Sequence, residues 1–396
     1  MNIKMFDVNF GETIIYQEGI HKLLVDCGAK YHNKGKLAYK RIKKEIDQNT
    51  MLMITHFDED HYNGILEIPR NFHFRKVFLP LYIYEKGKQS NTMEVFIDTL
   101  YVWTYMMAIG KKKKIDSLHK LFLTLPKLVN SIYDIRCVGK DDNIYVGSKN
   151  IEVLWPQDNS KIKNKLYNEE FLAILRASVD EKQKDLLERF VANANEYVSL
   201  LVKIYQFFCN AQNNIQNFEL YDDNNKFYEE FHTLERLYDT LHKIRLDIQF
   251  DERAINRVNY ICSTKIRNMN ECSIVFTIEK DIIAFGDVTP RIIKYLRQNN
   301  EFLNYEYKII KVQHHGTKSY WSNDIPKAKR YLVSNSGNKN IRWSIYEKYG
   351  KEYTQKMVCT NNNKDRCEYL KSGKCCVNCN VGIGKTRFIT DTNTIL

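Results

Sequence analysis

"THFDEDH", residues 55–61, places two histidines and three acidic residues within seven positions, directly after an apolar run. His56, Asp58, Asp60 and His61 lie within one turn of the chain, so their imidazoles and carboxylates can converge on one point. A dense set of such ligands after a buried strand suits one or two divalent metal ions. A solvated acidic loop with an incidental histidine pair is the alternative, because short motifs also occur by chance.

Two later stretches also place ligand-type residues just past predicted buried strands. "IIAFGDVT" ends a β-type run at Gly286 and Asp287, and "YKIIKVQHHGTKS" ends another at His314 and His315. The ends of strands are where α/β enzymes commonly position their ligands. Three such groups in one chain favour a metal site over a chance cluster.

The order of predicted elements is that of an α/β protein. Two short β-type runs flank the turn signal Glu18–Gly19, which predicts a hairpin. Residues 36–49 carry apolar residues at approximately helical spacing, and the apolar run before the acidic turn predicts a fully buried strand. Further strands are predicted at 75–80 and 150–156, and strand patterns resume from residue 272.

Between these strand-rich parts, residues 157–255 have a helical pattern. Apolar residues recur at steps of three and four over 227–244, which predicts a strong amphipathic helix, and a second long helix is predicted over 185–208. We interpret the pair as a helical insertion that acts as a lid or a docking arm. The expected domains are an N-terminal half at 1–156, the insertion at 157–262 and a C-terminal half at 263–396.

The charge of the chain favours a polyanionic partner. The 396 residues include 60 Lys and Arg against 48 Asp and Glu, a formal net charge of +12 that suits nucleic acid. A lysine-rich solvated surface would give the same count. Lys-rich stretches at 111–114 and 327–330 are candidate contacts to a nucleic-acid backbone, and Tyr320 with Trp321 could either stack a base or simply pack.

Nothing in the sequence indicates a membrane-embedded or secreted protein. No stretch approaches the roughly 18 uninterrupted apolar residues that a membrane span needs, and the start "MNIKMFDVNF" lacks the apolar core of a secretory signal. We therefore expect a cytoplasmic protein with no membrane partner. Its ten cysteines are then expected to be free thiols or metal ligands.

A cysteine cluster lies near the end of the chain, in the loop 359–379. Four thiolates could bind a structural zinc ion, and Cys359, Cys367, Cys376 and Cys379 are the favoured set. Reduced, unliganded thiols are the alternative, because the seven-residue spacings are unusual. We interpret this Cys-rich loop as an insertion that pins a long connection or docks a protein partner.

Together the motifs resemble those of the metallo-β-lactamase fold, whose H-x-[HD]-x-D-H signature is similar to residues 56–61. The surroundings resemble the hydrolase domain of bacterial competence DNA-uptake channel proteins and its free-standing relatives. The stretches that carry this resemblance are "DVNFGET" (7–13), "LLVDCG" (23–28), "ITHFDEDHYNG" (54–64), "NECSIVFTIEKDIIAFGD" (270–287), "IKVQHHGT" (310–317) and "TRFITDTNTIL" (386–396). The resemblance implies an α/β fold of the αββα sandwich type, here with the helical insertion and the Cys-rich C-terminal loop.

The resemblance also implies a centre of two divalent metal ions, zinc or manganese. His56 and Asp58 would bind one ion, and Asp60 and His61 would bind the other. Asp287 would bridge both. The further histidine ligand that is usual in the fold has no clear counterpart here, and a carboxylate-rich set suits Mn²⁺ as much as Zn²⁺.

One histidine of the adjacent pair would complete the second metal site. Because it lies beside the glycine, His315 is the preferred ligand, and His314 is expected to pack or to touch substrate. The resemblance gives Asp26 the role of orienting the ligands from behind, without binding metal itself.

Metal-dependent phosphodiester hydrolysis is the function that these features favour. Two metal ions can activate a water, hold a phosphoryl oxygen and stabilise the leaving oxyanion, with His56, Asp60 and Asp287 as the catalytic ligands. No convincing Ser/His/Asp or Cys/His arrangement and no Walker-type loop occurs in the sequence. The net charge and the resemblance favour a nuclease that acts on DNA or RNA.

Two other functions fit the same sequence. A hydrolase of a nucleotide or another small ester could use the helical insertion as a lid that shuts nucleic acid out. A partner-activated subunit of a multi-protein complex could use the insertion and the Cys-rich loop as docking surfaces. Free-standing relatives of the branch that this chain resembles often belong to multi-gene systems, including mobile-element and phage-defence ones.

Overall fold

The computed structural model divides the chain into two compact units. The residues that it describes are 1–8, 11–30, 34–82, 92–157, 167–210, 223–264, 269–299, 306–317, 320, 322–334, 357–360 and 387–389. The sheet unit comprises Met1–Leu81, Thr124–Gln157 and Asn270–Leu396, and the helical unit comprises Tyr82–Leu123 and Asp158–Met269. The protein is thus of mixed α/β type.

The first sheet of the sheet unit has seven strands in the order β14-β1-β2-β3-β4-β5-β6. Its strands are β1 (Asn2–Met5), β2 (Ile14–Glu18), β3 (His21–Val25), β4 (Thr50–Met53), β5 (Val77–Pro80), β6 (Ile135–Val138) and β14 (Arg387–Ile389). β2 and β3 form the antiparallel hairpin that the sequence predicts, and β3 to β6 run parallel to one another.

The second sheet also has seven strands, in the order β13-β12-β11-β10-β9-β8-β7. They are β7 (Asn143–Val146), β8 (Lys149–Trp155), β9 (Val275–Ile278), β10 (Ile282–Phe285), β11 (Tyr307–Lys311), β12 (Ala328–Val333) and β13 (Met357–Cys359). β7 to β10 are antiparallel, and β10 to β13 are parallel. Both sheets therefore contain parallel strands whose carboxyl ends meet at one edge.

Side chains from both sheets form one apolar core. The first sheet contributes Ile3, Met5, Ile14, Tyr16, Leu23, Val25, Met51, Met53, Phe78 and Val138, and the second contributes residues that include Ile151, Val153, Phe276, Ile282, Ile309 and Leu332. Leu24 is equally buried on the opposite side of β3. Because both faces of these strands are covered, their sequences are apolar throughout.

Three helices of the sheet unit come after the strands β3, β4 and β10, which lead to candidate ligands. They are α1 (Lys34–Ile42), α2 (Glu59–Tyr62) and α9 (Pro290–Asn299). α1 buries Ala38 and Ile42, and α9 buries Ile292, Ile293 and Leu296. The spacing of three and four in α9 is that of an amphipathic helix with one face buried.

The helical unit contains six helices among the described residues. They are α3 (Thr92–Ala108), α4 (Lys113–Thr124), α5 (Tyr167–Arg176), α6 (Glu181–Asn210), α7 (Asp223–Asp247) and α8 (Glu252–Thr264). α6 and α7 pack against each other, and α3 packs against α5 and α6. The two long helices predicted from the sequence are confirmed as α6 and α7.

The boundaries of the helical unit differ from the expected ones. Residues 82–123 are expected in the N-terminal half, but in the structure they belong to the helical unit. α3 is apolar on most of its surface and finds its partners in α5, α6 and α7, which explains why this segment joins the later helices. Over the described part of the chain, no helix is long and apolar enough to cross a membrane.

Most of the predicted zinc site lies outside the described residues. Cys359 is the last residue of β13, whereas Cys367, Cys376 and Cys379 are not among the residues that the structure describes. Zinc binding by these four cysteines therefore stays a prediction. Trp321, the expected partner of Tyr320 in base stacking, also lies outside the described residues.

Candidate metal centre

The acidic turn follows β4 directly and is folded around the short helix α2. His56 and His61 are both buried, and Asp58 precedes the helix with an extended backbone, at φ −85° and ψ 138°. A single helical turn then carries Asp60 and His61. The spacing of the motif thus places two histidines and two carboxylates around one helix start.

Four strand ends bring the predicted residues together. Asp26 follows β3 and the acidic turn follows β4, the parallel neighbour of β3. Asp287 follows β10 and the pair His314–His315 follows β11, the parallel neighbour of β10. Because parallel strands end at the same edge of a sheet, each sheet contributes its polar residues at one place.

Asp287 lies at the centre of the cluster. Its Oδ2 atom is 3.2 Å from Nε2 of His61 and 4.0 Å from Nε2 of His56. The same oxygen is 3.7 Å from Nε2 of His314 and 3.8 Å from Nε2 of His315. The side chain of Asp287 is 3% exposed, so the four imidazoles surround a carboxylate that is shielded from water.

Two groups of side chains among the described residues could hold a metal ion. The first group is His56, His61 and Asp287, and the second is Asp60, His61 and His315. Within each group the candidate ligand atoms all lie within 4.8 Å of one another. The second group unites the three residues that the resemblance assigns to the second metal ion. His61 belongs to both groups, although the resemblance assigns it to the second ion alone.

Asp58 and His314 lie at the solvent side of the cluster. Asp58 Oδ2 is 3.8 Å from Nε2 of His56, and the side chains of Asp58 and His314 are 25% and 23% exposed. Nδ1 of His314 is 2.6 Å from the hydroxyl of Thr317, and its ring stacks on Tyr320 with centroids 3.8 Å apart. Neither residue belongs to the two candidate groups. Metal binding by Asp58 and by His314 stays a prediction.

Asp26 is fully buried behind His61. Its carboxylate accepts hydrogen bonds from the backbone N–H and the hydroxyl of Thr55, both at 2.7 Å. Nδ1 of His61 lies 2.7 Å from the same carboxylate. A proton on Nδ1 donates to Asp26, which fixes the ring and leaves Nε2 on the side of the other candidate ligands. Asp26 has a φ of 55°, a backbone region that few residues other than glycine adopt.

Burial keeps two of the histidines neutral. The pKa of His56 is lowered to about 4, mainly by burial and also by the nearby His61, and the carboxylates of Asp287 and Asp58 oppose the shift. Burial also holds the pKa of His315 well below its ordinary value, against the opposing charge of Asp287. A neutral imidazole has a free lone pair, which is the form that binds a metal ion.

His61 and Asp287 form a coupled pair of opposite charge. Burial acts to lower the pKa of His61, but the carboxylates of Asp287 and Asp26 raise it well above its ordinary value. Burial acts to raise the pKa of Asp287, but His61, His314 and His315 hold it well below the usual range. Burial raises the pKa of Asp60. The cluster thus favours an ionised Asp287 at its centre.

The buried atoms of the cluster fit a bound cation. Among the described residues, Nε2 of His56 and Oδ1 of Asp287 are buried and have no hydrogen-bond partner, and Nε2 of His61 has the 3.2 Å contact with Oδ2 of Asp287. Such atoms are rare in folded proteins because leaving them unpaired costs free energy, roughly 1–3 kcal/mol each. Imidazole nitrogens and carboxylate oxygens are ligands for divalent transition metals. The donor set therefore suits a metal ion.

Two buried charged residues beside the cluster were not singled out from the sequence. Glu12 and Lys311 form an ion pair at 2.9 Å with side chains 4% and 3% exposed, and Glu12 lies 3.6 Å from Nδ1 of His315. Burial raises the pKa of Glu12 to about 7, and the charges of Lys311 and His61 act against that rise. Both residues lie in stretches that carry the family resemblance, which is the signal that could have identified them.

The candidate nucleic-acid contacts have other partners in the structure. The amide of Asn270 donates to the hydroxyl of Tyr320 at 3.0 Å, and one face of the Tyr320 ring stacks on His314. In the helical unit, Lys112 lies 3.7 Å from Asp116, and Lys114 lies over the ring of Trp103. Contact of these side chains with nucleic acid stays a prediction.

Comparison with known proteins gives no assignment. No protein-family model matches the chain, and no curated protein matches it.

Proposed function

We propose that the protein is a metal-dependent phosphodiester hydrolase that cleaves nucleic acid through a metal-activated water. One observation carries the proposal. Three separate sequence motifs end at one buried cluster, in which Nε2 of His56 and Oδ1 of Asp287 have no hydrogen-bond partner among the described residues. Buried unpaired atoms of this kind are costly, and a metal ion would satisfy them.

The architecture supports a metallo-β-lactamase fold. Two mixed sheets share one apolar core, and the candidate ligands follow β4, β10 and β11. This arrangement resembles the αββα sandwich, in which the metal site lies at one edge of the two sheets. Because a fold hosts many chemistries, the substrate class must be argued from the site and the charge.

Two divalent ions, manganese or zinc, are the proposed cofactors. Asp60, His61 and His315 would hold one ion, His56 and Asp58 would hold the other, and Asp287 would lie between them. When bound, such ions supply a polarised phosphoryl oxygen and a water of lowered pKa. With this chemistry no side-chain nucleophile is required.

The residues of the chain then orient the ligands and define the direction of substrate approach. Asp26 fixes His61 through the 2.7 Å contact with Nδ1. The side chains of Asp58 and His314 are about a quarter exposed, whereas those of His56 and Asp287 are nearly or fully buried. A phosphodiester would therefore approach from the side of Asp58 and His314.

Nucleic acid is the proposed substrate because of charge. The formal net charge of +12 gives an attractive field for a polyanion, and this attraction is largest at low salt. A small phosphodiester would gain little from a field of that size.

Cleavage of labelled single- and double-stranded DNA and RNA tests the proposal. The wild type and the Asp60→Ala/His61→Ala variant are compared with Mn²⁺, with Zn²⁺ and with EDTA. We expect metal-dependent cleavage of at least one polymer by the wild type and none by the variant. Cleavage of a chromogenic phosphodiester but of no polymer would contradict the nuclease and support a small-ester hydrolase.

A further inference from the structure

A buried ion pair lies directly behind the second candidate ligand group. Nζ of Lys311 is 2.9 Å from Oε2 of Glu12, and both side chains are less than 5% exposed. Taking two charges out of water is costly, and an apolar pair of similar volume is often at least as stable. Stability alone therefore does not explain why Glu12 and Lys311 are buried here.

The backbone of Glu12 is fixed to the elements that carry the ligands. Its N–H donates to the carbonyl of Asp60 at 3.1 Å, and its carbonyl accepts from the N–H of Gly28 at 3.0 Å. Lys311 ends β11, three residues before the histidine pair, and also donates to the carbonyl of Val312 at 2.9 Å. Both members of the pair are thus anchored to the strand ends that form the cluster.

The side chain of Glu12 faces the rear edge of His315. Its Oε2 atom is 3.6 Å from Nδ1 of His315, an ion-pair distance longer than a hydrogen bond. Nε2 on the other edge of the same ring lies 3.8 Å from Asp60 and 3.8 Å from Asp287. The ring of His315 therefore lies between the carboxylate of Glu12 on its Nδ1 side and those of Asp60 and Asp287 on its Nε2 side.

The backbone of His315 is held in an unfavourable conformation. Its φ is 52°, in the left-handed region, which costs about 1–2 kcal/mol for a residue other than glycine. Such conformations persist where the surroundings impose them, and they concentrate at functional sites. Here the strained backbone directs the ring between Glu12 and the other members of its candidate group.

We infer that Glu12, held in place by Lys311, is a positioning residue that orients His315 for metal binding, as Asp26 does for His61. A carboxylate facing Nδ1 favours the tautomer with its proton on that nitrogen, which leaves the lone pair of Nε2 for the metal. This role deepens the proposed function and rests on it, because it assumes that His315 is a metal ligand.

The test uses metal binding to the full-length protein at pH 8. Metal-stripped protein is titrated calorimetrically with Mn²⁺, and the Co²⁺-loaded protein gives an absorption spectrum that reports the coordination of each ion. The decisive variant is Glu12→Gln/Lys311→Met, which removes both charges and leaves neither one buried alone. The control is Asp281→Asn/Lys308→Met, which removes an exposed ion pair of the same sheet at 2.7 Å.

We expect the decisive variant to bind one of the two ions about 10–100-fold more weakly than the wild type, with an altered Co²⁺ spectrum. The control variant should bind both ions as the wild type does. A decisive variant that folds and binds both ions with wild-type affinity and spectrum would overturn the inference, because the pair would then serve stability alone.

The metal-binding test distinguishes a failure of the role of Glu12 from a failure of the proposed hydrolase activity. A wild type that binds two ions, loses one in the decisive variant and cleaves no phosphodiester supports the role of Glu12 and contradicts the hydrolase. A wild type that binds no metal overturns both.

A second measurement needs no change to the ion pair. The ¹⁵N resonances of the histidine rings are recorded for the Zn²⁺-loaded wild type, and the signals of His315 are identified by their loss in His315→Gln. A proton on Nδ1 of His315 supports the inference. A proton on its Nε2 overturns it.

Discussion

At the scale of single residues, the contact between Asp26 and His61 has the clearest consequence. Asp26 accepts from the N–H and the hydroxyl of Thr55 and lies 2.7 Å from Nδ1 of His61. Asp26, Thr55 and His61 are all buried. Asp26 is therefore the carboxylate that holds the Nδ1 side of the His61 ring.

Replacement of Asp26 by asparagine should weaken metal binding. The amide of asparagine offers one acceptor oxygen to three donors, namely the N–H of Thr55, its hydroxyl and Nδ1 of His61. Its NH₂ group would face one of these donors in place of a carboxylate oxygen. We expect Asp26→Asn to bind metal about 10–100-fold more weakly by calorimetric titration. Asp47→Asn, which loses a partly exposed ion pair with Lys22, is the control. Equal affinities for Asp26→Asn and the wild type would contradict the role of Asp26.

The residues of the cluster differ in how far they could be predicted. His56 and His61 stand in one short motif, and Asp287 and His315 follow apolar strands, so the rule that strands end together suffices to predict their proximity. Glu12 was not predicted as a site residue, because hydropathy patterns assign charged residues to the surface. Its burial depends on Lys311, which is distant in sequence and adjacent only in the fold.

At the scale of elements, the packing of the β3 end against α2 depends on a glycine. A Cβ atom on Gly28 would lie 2.3 Å from the carbonyl carbon and oxygen of Asp60 and 2.5 Å from the N of His61. With a side chain at position 28, the backbone of Asp60 and His61 would have to shift. The close approach allows Asp26 and His61 to meet.

Gly28→Ala should displace α2 and so destabilise the protein. We expect a loss of about 1–3 kcal/mol in the free energy of unfolding, the usual cost of an overpacked site, together with weaker metal binding. Chemical denaturation and metal titration measure the two effects. Gly19→Asn is the control, because Gly19 has a φ of +57° that asparagine tolerates and no atom within 4 Å of its Cβ position. Wild-type stability in Gly28→Ala would refute the packing argument.

Three helices of the helical unit meet at a buried histidine. His119 of α4 stacks on Tyr238 of α7 with ring centroids 3.9 Å apart, and its Nδ1 atom is 3.2 Å from the hydroxyl of Tyr197 on α6. The pKa of His119 is lowered to about 4, mainly by burial and also by the positive charges of Lys120 and His242. The folded unit therefore holds this imidazole in its neutral form at pH values where an unfolded chain protonates it.

The helical unit should lose stability as the pH falls from about 6.5 to 4. In that window the unfolded chain binds a proton at this position and the folded chain does not, so acid favours unfolding, by about 3 kcal/mol over the whole range. Urea denaturation followed by circular dichroism at 222 nm, at pH 7 and pH 5, measures the change. His119→Phe keeps the stacking and should lose less stability over the same interval. An equal loss in both proteins would contradict the assignment to His119.

The elements themselves were predictable to different degrees. The long amphipathic helices α6 and α7 follow from their apolar spacing, which extends over many turns. β6 and β7 have four residues each and too little pattern to stand out. The membership of α3 in the helical unit is decided by contacts with helices that occur much later in the chain.

At the scale of the whole molecule, the proposed substrate rests on charge and on the buried polar cluster. The formal net charge of +12 predicts attraction to any polyanion, and the cluster predicts where a phosphodiester would be cleaved. Binding and cleavage should therefore be separable, because the first depends on the summed field and the second on a few residues.

Nucleic-acid binding should weaken steeply with salt. Each phosphate contact releases counterions, so the logarithm of the binding constant falls linearly with the logarithm of salt concentration. Fluorescence anisotropy with a labelled DNA duplex, at about 50 and 200 mM salt, should show a loss of about tenfold or more if two or more phosphates are contacted. An affinity that does not change with salt would contradict the proposed substrate.

The central claim is that the buried cluster cleaves phosphodiesters with the help of bound metal, and one matched comparison tests it most directly. Metal-stripped wild type, Asp287→Asn and Asp281→Asn are assayed on labelled nucleic acid as Mn²⁺ is added back. Asp287 lies at the centre of the cluster, and Asp281 is half exposed and paired with Lys308. We predict that Mn²⁺ restores cleavage to the wild type and to Asp281→Asn but not to Asp287→Asn. Cleavage without added metal, or equal cleavage by all three proteins, would contradict the account.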